Sequence, residues 1–134
     1  MIVFIDSNIP MYAAGRPHRH REPSVRLLEA VERNELEGCT STEVLQEILY
    51  RYSALSRYDL ARDVYNLFVA ICPRVFDVTL SDTDRARDLL MKVRRLSARD
   101  AVHAALMLNH GIEQIATFDG GFDSVSGIRR LMMK

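Results

Sequence analysis

The chain lacks a net charge, because its 18 basic and 18 acidic side chains balance. No bulk electrostatic field therefore draws it to nucleic acid or to a membrane, and any polyanion has to be held by a local group of basic residues. Lysine is also scarce, since Lys92 and Lys134 are the only two and nearly all positive charge is arginine. Arginine is the better bidentate phosphate partner, although codon bias in a GC-rich genome is the simpler explanation.

Paired cysteines and long apolar runs are missing as well. The only two cysteines, Cys39 and Cys72, lie far apart and form no C-x-x-C motif, which favours reduced, buried thiols. Met1 leads directly into an apolar run without a basic segment, and no apolar run reaches the length that spans a bilayer. We therefore expect a cytoplasmic protein with no membrane partner. The length of 134 residues fits a single domain, residues 1–134, without repeats or linkers.

The most informative stretch is the predicted first strand, Ile2-Val3-Phe4-Ile5, which is followed directly by Asp6-Ser7-Asn8. An uninterrupted run of apolar, mostly β-branched residues is typical of a strand that is buried on both faces of a parallel sheet. Open α/β sheets bind their ligands beyond the carboxyl ends of the strands, which is where Asp6 falls. A carboxylate in that position has to be paired, protonated or bound to a cation.

Strands and helices alternate along the rest of the chain. Apolar runs predict further strands at residues 37–40, 75–78, 115–117 and 128–132. Amphipathic spacing predicts the helices between them, with N-caps at Thr42, Ser81 and Ser97. This order predicts an α/β fold of three layers, in which a central, mostly parallel sheet is covered by helices on both faces.

Three further acids are expected to join Asp6 at the carboxyl edge of this sheet. Asp119 follows the fourth predicted strand, Asp100 lies in the first turn of a buried helix, and Glu47 lies on the flank of an earlier helix. Taken singly, Asp100 also fits a capping role and Glu47 an ordinary boundary position. Four carboxylates cannot share a pocket in ionised form without a cation. Hard oxygen donors suit Mg²⁺ or Mn²⁺ rather than zinc, and such a site can activate water for attack on a phosphodiester.

Other polar residues accompany the predicted acidic site. Ser7, Asn8 and Thr117 are candidates to bind water or phosphate, and Asp123 is a nearby supporting acid. No histidine or cysteine cluster accompanies the acids. We interpret His103, which interrupts an otherwise apolar helix, as a hydrogen-bonded packing residue.

Four motifs follow one another along essentially the whole chain. They are Val3 to Asn8, Thr40-Ser41 with Glu47-Ile48, Ala98 to Ala105, and Thr117 to Phe122 with Val125 and Gly127-Ile128. In this order and spacing they resemble a PIN domain of the VapC toxin type. Each motif alone is a weak signal, whereas the ordered set of four carboxylates is specific.

The resemblance implies a PIN-like nuclease domain, a Mg²⁺- or Mn²⁺-dependent endoribonuclease whose acidic site matches Asp6, Glu47, Asp100 and Asp119. It implies metal binding by the three aspartates. Glu47 is preferred to Glu43 because the family glutamate falls six residues after a serine, here Ser41. Many relatives carry a further acid where this chain has Gly121.

The resemblance also implies partners. RNA is the expected substrate, a homodimer the expected assembly, and a small antitoxin protein the expected inhibitor that lies over the acidic pocket. The loop at residues 16–22, with His18 and His20, fits a solvated basic loop better than a metal site. On location alone, five arginines are candidate RNA contacts: Arg16, Arg19, Arg21, Arg51 and Arg99.

Other functions stay open on the sequence. An RNA-processing PIN nuclease uses the same site, and a PIN-fold module that binds RNA or protein without catalysis uses the same fold. A phosphoryl-transfer domain, such as a response-regulator receiver or a haloacid-dehalogenase-like phosphatase, is less favoured. Those families need a lysine near a later strand end, and neither Lys92 nor Lys134 is placed there.

Overall fold

A five-stranded sheet organises the chain, which we describe from a computed structural model of residues 1–134. The elements are, in chain order, β1 (Ile2–Ile5), α1 (Asn8–Ala13), α2 (Arg21–Glu32), β2 (Glu37–Ser41), α3 (Thr42–Ala54), α4 (Tyr58–Ile71), β3 (Arg74–Phe76), α5 (Leu80–Lys92), α6 (Ala98–Asn109), β4 (Gln114–Ala116), a 3₁₀ helix (Gly120–Ser124) and β5 (Arg129–Arg130). No helix is both long and apolar enough to cross a bilayer. β3 is one residue shorter than its predicted strand, β4 has the predicted length but begins one residue earlier, and β5 retains only two of five predicted residues.

The sheet is entirely parallel, with the strand order β3-β2-β1-β4-β5. β1 is central, and its Phe4 pairs with Cys39 of β2 on one side and with Ile115 of β4 on the other. The chain moves outward from β1 to β3 and then returns to the opposite side of β1 for β4. Right-handed connections running in opposite directions place helices on opposite faces of the sheet. The predicted α/β fold with a parallel sheet is confirmed.

The topology creates a switch point between β1 and β4. Ligands of open α/β sheets bind where the strand order reverses, beyond the carboxyl ends of the strands. Val3, Phe4 and Ile5 are fully buried, so β1 is anchored in the hydrophobic core up to the residue that precedes Asp6. The fold therefore holds Asp6 rigidly at the crevice.

Close helix packing against β2 depends on one glycine. A Cβ atom at Gly38 would lie 2.9 Å from Ile5 Cδ1 and 2.9 Å from Val31 Cγ1. Such distances are well inside van der Waals contact, so only glycine lets α2 approach the sheet here.

Two of the three predicted helix caps are shifted. The N-cap of α3 is Ser41 rather than Thr42, and that of α5 is Thr79 rather than Ser81. Both observed caps have extended backbone and accept a hydrogen bond from the first turn, whereas the predicted residues already lie inside the helix. The cap predicted at Ser97 is confirmed.

Candidate active site

An open cleft of about 640 Å³ lies beyond the carboxyl end of β1. Its lining is mostly polar and includes all four predicted acids, Asp6, Glu47, Asp100 and Asp119. They come from four separate parts of the chain: the end of β1, the flank of α3, the first turn of α6 and the segment after β4. The parallel sheet brings them together because the carboxyl ends of its strands share one edge.

Asp6 is buried and held by its neighbours. Its Oδ1 accepts a hydrogen bond from the Ser7 N–H at 2.7 Å, and its Oδ2 accepts from the Thr117 hydroxyl at 2.8 Å and from Asn8 Nδ2 at 3.5 Å. The same Thr117 oxygen accepts from Asn8 Nδ2 at 3.0 Å and from the Asp119 N–H at 3.0 Å. Burial raises the pKa of Asp6, although the charge of His103 and these hydrogen bonds oppose the rise. Ser7, Asn8 and Thr117 thus orient Asp6 within the cleft.

Asp100 and Asp119 form the acidic side of the cleft nearest to Asp6. The Asp100 N–H donates to Ser97 Oγ at 3.1 Å, and Asp119 Oδ1 accepts from the Gly121 N–H at 2.8 Å. Burial, the adjacent Asp119 and the charge of Asp6 raise the pKa of Asp100 to about 7. The protein alone therefore disfavours full ionisation of its clustered aspartates at neutral pH.

Glu47 differs from the aspartates because basic residues surround it. Arg51 Nε lies 3.2 Å and Arg99 Nη1 lies 3.3 Å from Glu47 Oε2. Burial opposes ionisation of Glu47, but His103, Ser7 and Arg99 outweigh it and lower the pKa to about 2. Glu47 is therefore a permanently ionised group that neutralises basic side chains at the wall of the cleft.

His103 is a component of the site that the sequence interpretation missed. The ring is fully buried, and its Nε2 lies 3.7 Å from both Asp6 Oδ1 and Glu47 Oε1. Neither ring nitrogen has a hydrogen-bond partner in the protein, so the interpretation as a hydrogen-bonded packing residue is wrong. Burial alone would lower the pKa of His103, but the Glu47 and Asp6 carboxylates outweigh it and raise the pKa. The sequence spacing could have indicated that His103 belongs to the site, because His103 follows Asp100 by three residues and lies on the same helix face.

The donor set fits a divalent cation. One ligand atom each from Asp6, Glu47 and His103 lies within 4.8 Å of the others, and Asp100 and Asp119 line the same cleft. The raised pKa values of Asp6 and Asp100 show that unpaired carboxylates are disfavoured here, which a bound cation would relieve. The three aspartates are the hard oxygen donors that Mg²⁺ and Mn²⁺ prefer.

Asp123 lies outside this site, contrary to the sequence expectation. Its carboxylate is exposed and accepts two hydrogen bonds from Arg130, at 2.8 Å from Nε and 2.8 Å from Nη2. Asp123 belongs to the 3₁₀ helix after Asp119, which turns it towards β5 instead of the cleft. It is therefore an ion-pair partner of the edge strand.

The five predicted RNA-contacting arginines fall into two groups. Arg51 and Arg99 line the cleft, but Glu47 engages both of them. The other three lie in the segment before α2 and at its first residue, away from the cleft lining, and form no ion pair with a carboxylate: Arg16, Arg19 and Arg21. The phosphoryl-transfer alternative would require a lysine at this site, and no lysine lines the cleft.

A parallel sheet whose switch point gathers four acids and a buried histidine defines the class, an α/β protein with an acidic cleft at the carboxyl edge of its sheet. The chain belongs to the PIN domain family, which matches residues 3–128. Within that family it is similar to Ribonuclease VapC13 of Mycobacterium tuberculosis, with 40% identity over 97% of this chain and 99% of the relative.

Solved structures share the fold. VapBC2 from Rickettsia felis, solved bound to a DNA fragment from its promoter, has a TM-score of 0.78 at 17% identity and covers 100% of both chains. VapC20 of Mycobacterium tuberculosis, described as a sarcin-ricin loop cleaving toxin, has a TM-score of 0.76 at 21% identity and covers 94% of this chain and 95% of its own. At these identities the likeness concerns the fold alone.

Proposed function

We propose that this PIN domain is a Mg²⁺- or Mn²⁺-dependent endoribonuclease and the toxin of a toxin–antitoxin pair. The observation that carries the proposal is the meeting of four acids from distant parts of the chain in one cleft: Asp6, Glu47, Asp100 and Asp119. The name of the relative, a ribonuclease at 40% identity over nearly the full length, supports RNA as the substrate.

In the proposed reaction, the aspartates Asp6, Asp100 and Asp119 would hold the metal. When bound there, the ion would supply charge neutralisation at the phosphodiester and would lower the pKa of an attacking water. Ser7 and Thr117 keep the Asp6 carboxylate in one orientation by donating to both of its oxygens. Preorganised ligands of this kind avoid reorganisation during the reaction.

His103 and Glu47 support Asp6 from beneath the cleft. His103 Nε2 lies 3.7 Å from both Asp6 Oδ1 and Glu47 Oε1, and the two carboxylates raise the pKa of His103, so that a proton on the ring would offset their repulsion. Glu47 in turn holds Arg99 and Arg51 at the wall of the cleft, next to the position that the phosphodiester occupies in this proposal.

The test is cleavage of a single-stranded RNA by the purified protein in Mg²⁺ or Mn²⁺, compared with two variants that each exchange a carboxylate for an amide. Asp6→Asn removes a proposed metal ligand and should reduce cleavage more than about 100-fold, since even residues that only support a ligand change activity 10–100-fold. Asp123→Asn is the matched control, because that carboxylate lies outside the cleft, and it should cleave normally. Equal cleavage by Asp6→Asn would refute the nuclease proposal.

We also propose a small antitoxin as the inhibitor, a homodimer as the assembly and the cytoplasm as the place of action. The similarity to VapC13 and to the VapBC2 structure supports the antitoxin, whereas the homodimer and the cytoplasm rest on the family resemblance alone. Co-expression with the product of a small neighbouring gene should abolish cleavage and yield a stable complex. Light scattering of the purified protein should give twice the mass of one chain. A protein that stays monomeric in this measurement would contradict the proposed homodimer.

A further inference from the structure

Four aromatic rings form a cluster beside the acidic cleft. Tyr12 of α1 stacks on His18, with ring centroids 4.8 Å apart, and His20 stacks on Phe118 at 3.8 Å with an interplanar angle of 14°. Edge contacts of Tyr12 to His20 at 5.1 Å and to Phe118 at 5.5 Å join the two stacks. We call these four residues the aromatic cluster.

The aromatic cluster adjoins the carboxylates through two of its members. Tyr12 lines the same cleft as Asp6 and Asp119. Phe118 directly precedes Asp119, and its N–H donates to Asn8 Oδ1 at 3.4 Å, which ties it to the start of α1. The cluster therefore forms part of the rim of the cleft, within reach of a group attached to whatever the acids hold.

Local hydrogen bonds order the loop that carries the two histidines. The His20 N–H donates to His18 Nδ1 at 3.1 Å, the Arg21 N–H donates to the His18 carbonyl at 3.0 Å, and Ser24 Oγ donates to the His20 carbonyl at 2.7 Å. An ordered loop loses little conformational entropy when a ligand binds. Partial burial and the charges of Arg19 and His18 lower the pKa of His20, which favours the uncharged ring.

We propose that the aromatic cluster is a stacking subsite for one unpaired RNA base adjacent to the phosphodiester in the acidic cleft. The inference rests on the proposed function, in which that cleft takes RNA. Stacking on aromatic faces is the common means by which proteins bind single-stranded nucleic acid, and it requires a base that is free of its pairing partner.

The charges of the region favour a nucleotide as the occupant. The clustered carboxylates repel a polyanion, so the strand has to be held by groups next to them. Arg16 and Arg19 belong to the same loop as His18 and His20, and neither is engaged by a carboxylate. Aromatic faces beside free guanidinium groups suit a base together with its phosphate.

The experiment measures binding of a short single-stranded RNA that carries 2-aminopurine, a base whose fluorescence falls when it stacks. The full-length protein is titrated into this RNA in the presence of Ca²⁺, and the readouts are the affinity for the RNA and the quenching of the 2-aminopurine fluorescence. Tyr12→Leu and His18→Ala remove one ring each and should weaken binding about 10-fold and abolish the quenching. Tyr12→Phe keeps the ring and should behave like the wild type. His110→Ala is the control, since that histidine also contacts an aromatic ring but lies at the far end of α6.

The same titration distinguishes failure of the subsite from failure of the nuclease, because it reads binding and not cleavage. Unchanged affinity and quenching in both Tyr12→Leu and His18→Ala would overturn the subsite even if RNA is cleaved. His18 is exposed, so its replacement leaves the folded core intact. If the two variants bind RNA normally but lose the co-expressed antitoxin, the cluster belongs to a protein interface and the base-stacking subsite is wrong.

Discussion

At the scale of single residues, the cleft is a place where the fold opposes ionisation. Asp100 is the clearest case, because burial and two neighbouring aspartates raise its pKa from 3.8 to about 7. A fold that raises the pKa of an acid loses stability when that acid ionises. Ionisation of Asp6 and Asp100 therefore costs the metal-free protein stability, and a bound cation would reduce that cost.

Asp100→Asn is predicted to stabilise the metal-free protein in a pH-dependent way. The folded wild type retains a proton on Asp100 that the unfolded chain releases, so the stability it provides is complete below about pH 4 and is lost as the pH rises through about 7. The amide does not titrate, so the variant should melt about 2–4 °C above the wild type at pH 8, and the difference should shrink towards pH 4. Thermal unfolding in EDTA at several pH values measures this.

Mn²⁺ provides the second half of the same test. It should raise the melting temperature of the wild type at pH 8, because it binds the folded state, and it should raise that of Asp100→Asn much less. Asp123→Asn is the control with the opposite pKa shift, because Arg130 lowers the pKa of Asp123. Loss of the Asp123 carboxylate should therefore not stabilise the fold. A melting difference that does not change with pH would contradict the assigned role of Asp100.

The sequence predicted the four acids but not their surroundings, for a physical reason. Asp6 and Asp119 follow strands and Asp100 lies in the first turn of a helix, which are positions that local patterns predict, whereas Glu47 lies within α3 and was selected by the family resemblance. His103 was misassigned because a histidine within an apolar helix has the same pattern whether it packs or faces carboxylates. Asp123 was misassigned because the 3₁₀ turn that carries it away from Asp119 has no sequence period. Of the two partners of Glu47, Arg51 lies four residues further along α3, a spacing that the sequence shows, whereas Arg99 lies on α6 and no local pattern reveals its contact with Glu47.

At the scale of elements, helix starts position the site. The N-cap of α6 is Ser97, whose hydroxyl accepts a hydrogen bond from the Asp100 N–H, so the cap and the acid are one structural unit. The N-cap of α3 is Ser41, which is also the last residue of β2. Because one residue serves both elements, the predicted cap was displaced by one residue. Element type was thus readable from the sequence, whereas the boundary between a strand and the following helix was not.

Ser97→Ala is predicted to affect both stability and the site. Loss of an N-cap hydroxyl costs about 1 kcal/mol of folding free energy. Thr79→Ala removes the equivalent cap of α5, which lies outside the cleft, and should cost a similar amount. Only Ser97→Ala should also weaken Mn²⁺ binding and cleavage, because it frees the first turn that carries Asp100. Urea unfolding and Mn²⁺ calorimetry of the two variants separate these effects, and equal metal affinities would contradict the positioning role.

At the scale of the whole molecule, the alternation of strands and helices predicted the parallel α/β fold, but not the strand order. The order β3-β2-β1-β4-β5 depends on where the chain returns after β3. From the sequence alone, the crossing through α5 and α6 could place β4 on either side of the strands already formed. That return creates the switch point beside Asp6. The site is therefore a property of the topology as much as of the acids themselves.

The balanced charge of the molecule predicts how RNA binding responds to salt. Arg51 and Arg99 are occupied by Glu47, which leaves three candidate arginines without a carboxylate partner, in the loop before α2 and at the first residue of α2: Arg16, Arg19 and Arg21. Each neutralised phosphate of a single strand contributes a slope of about −0.7 to a plot of log affinity against log salt, so the total slope should be about −2.

Arg19→Ala tests this charge count directly. It should weaken binding at low salt and make the slope shallower by about 0.7, because one phosphate contact is removed. Arg33→Ala is the matched control, since that arginine already pairs with Glu29 within α2 and should leave the slope unchanged. Fluorescence anisotropy over a range of salt concentrations gives the slopes. A wild-type slope as steep as about −3.5 would mean that Arg51 and Arg99 leave Glu47 to bind phosphate, and a slope near zero would mean that Arg16, Arg19 and Arg21 contact no phosphate.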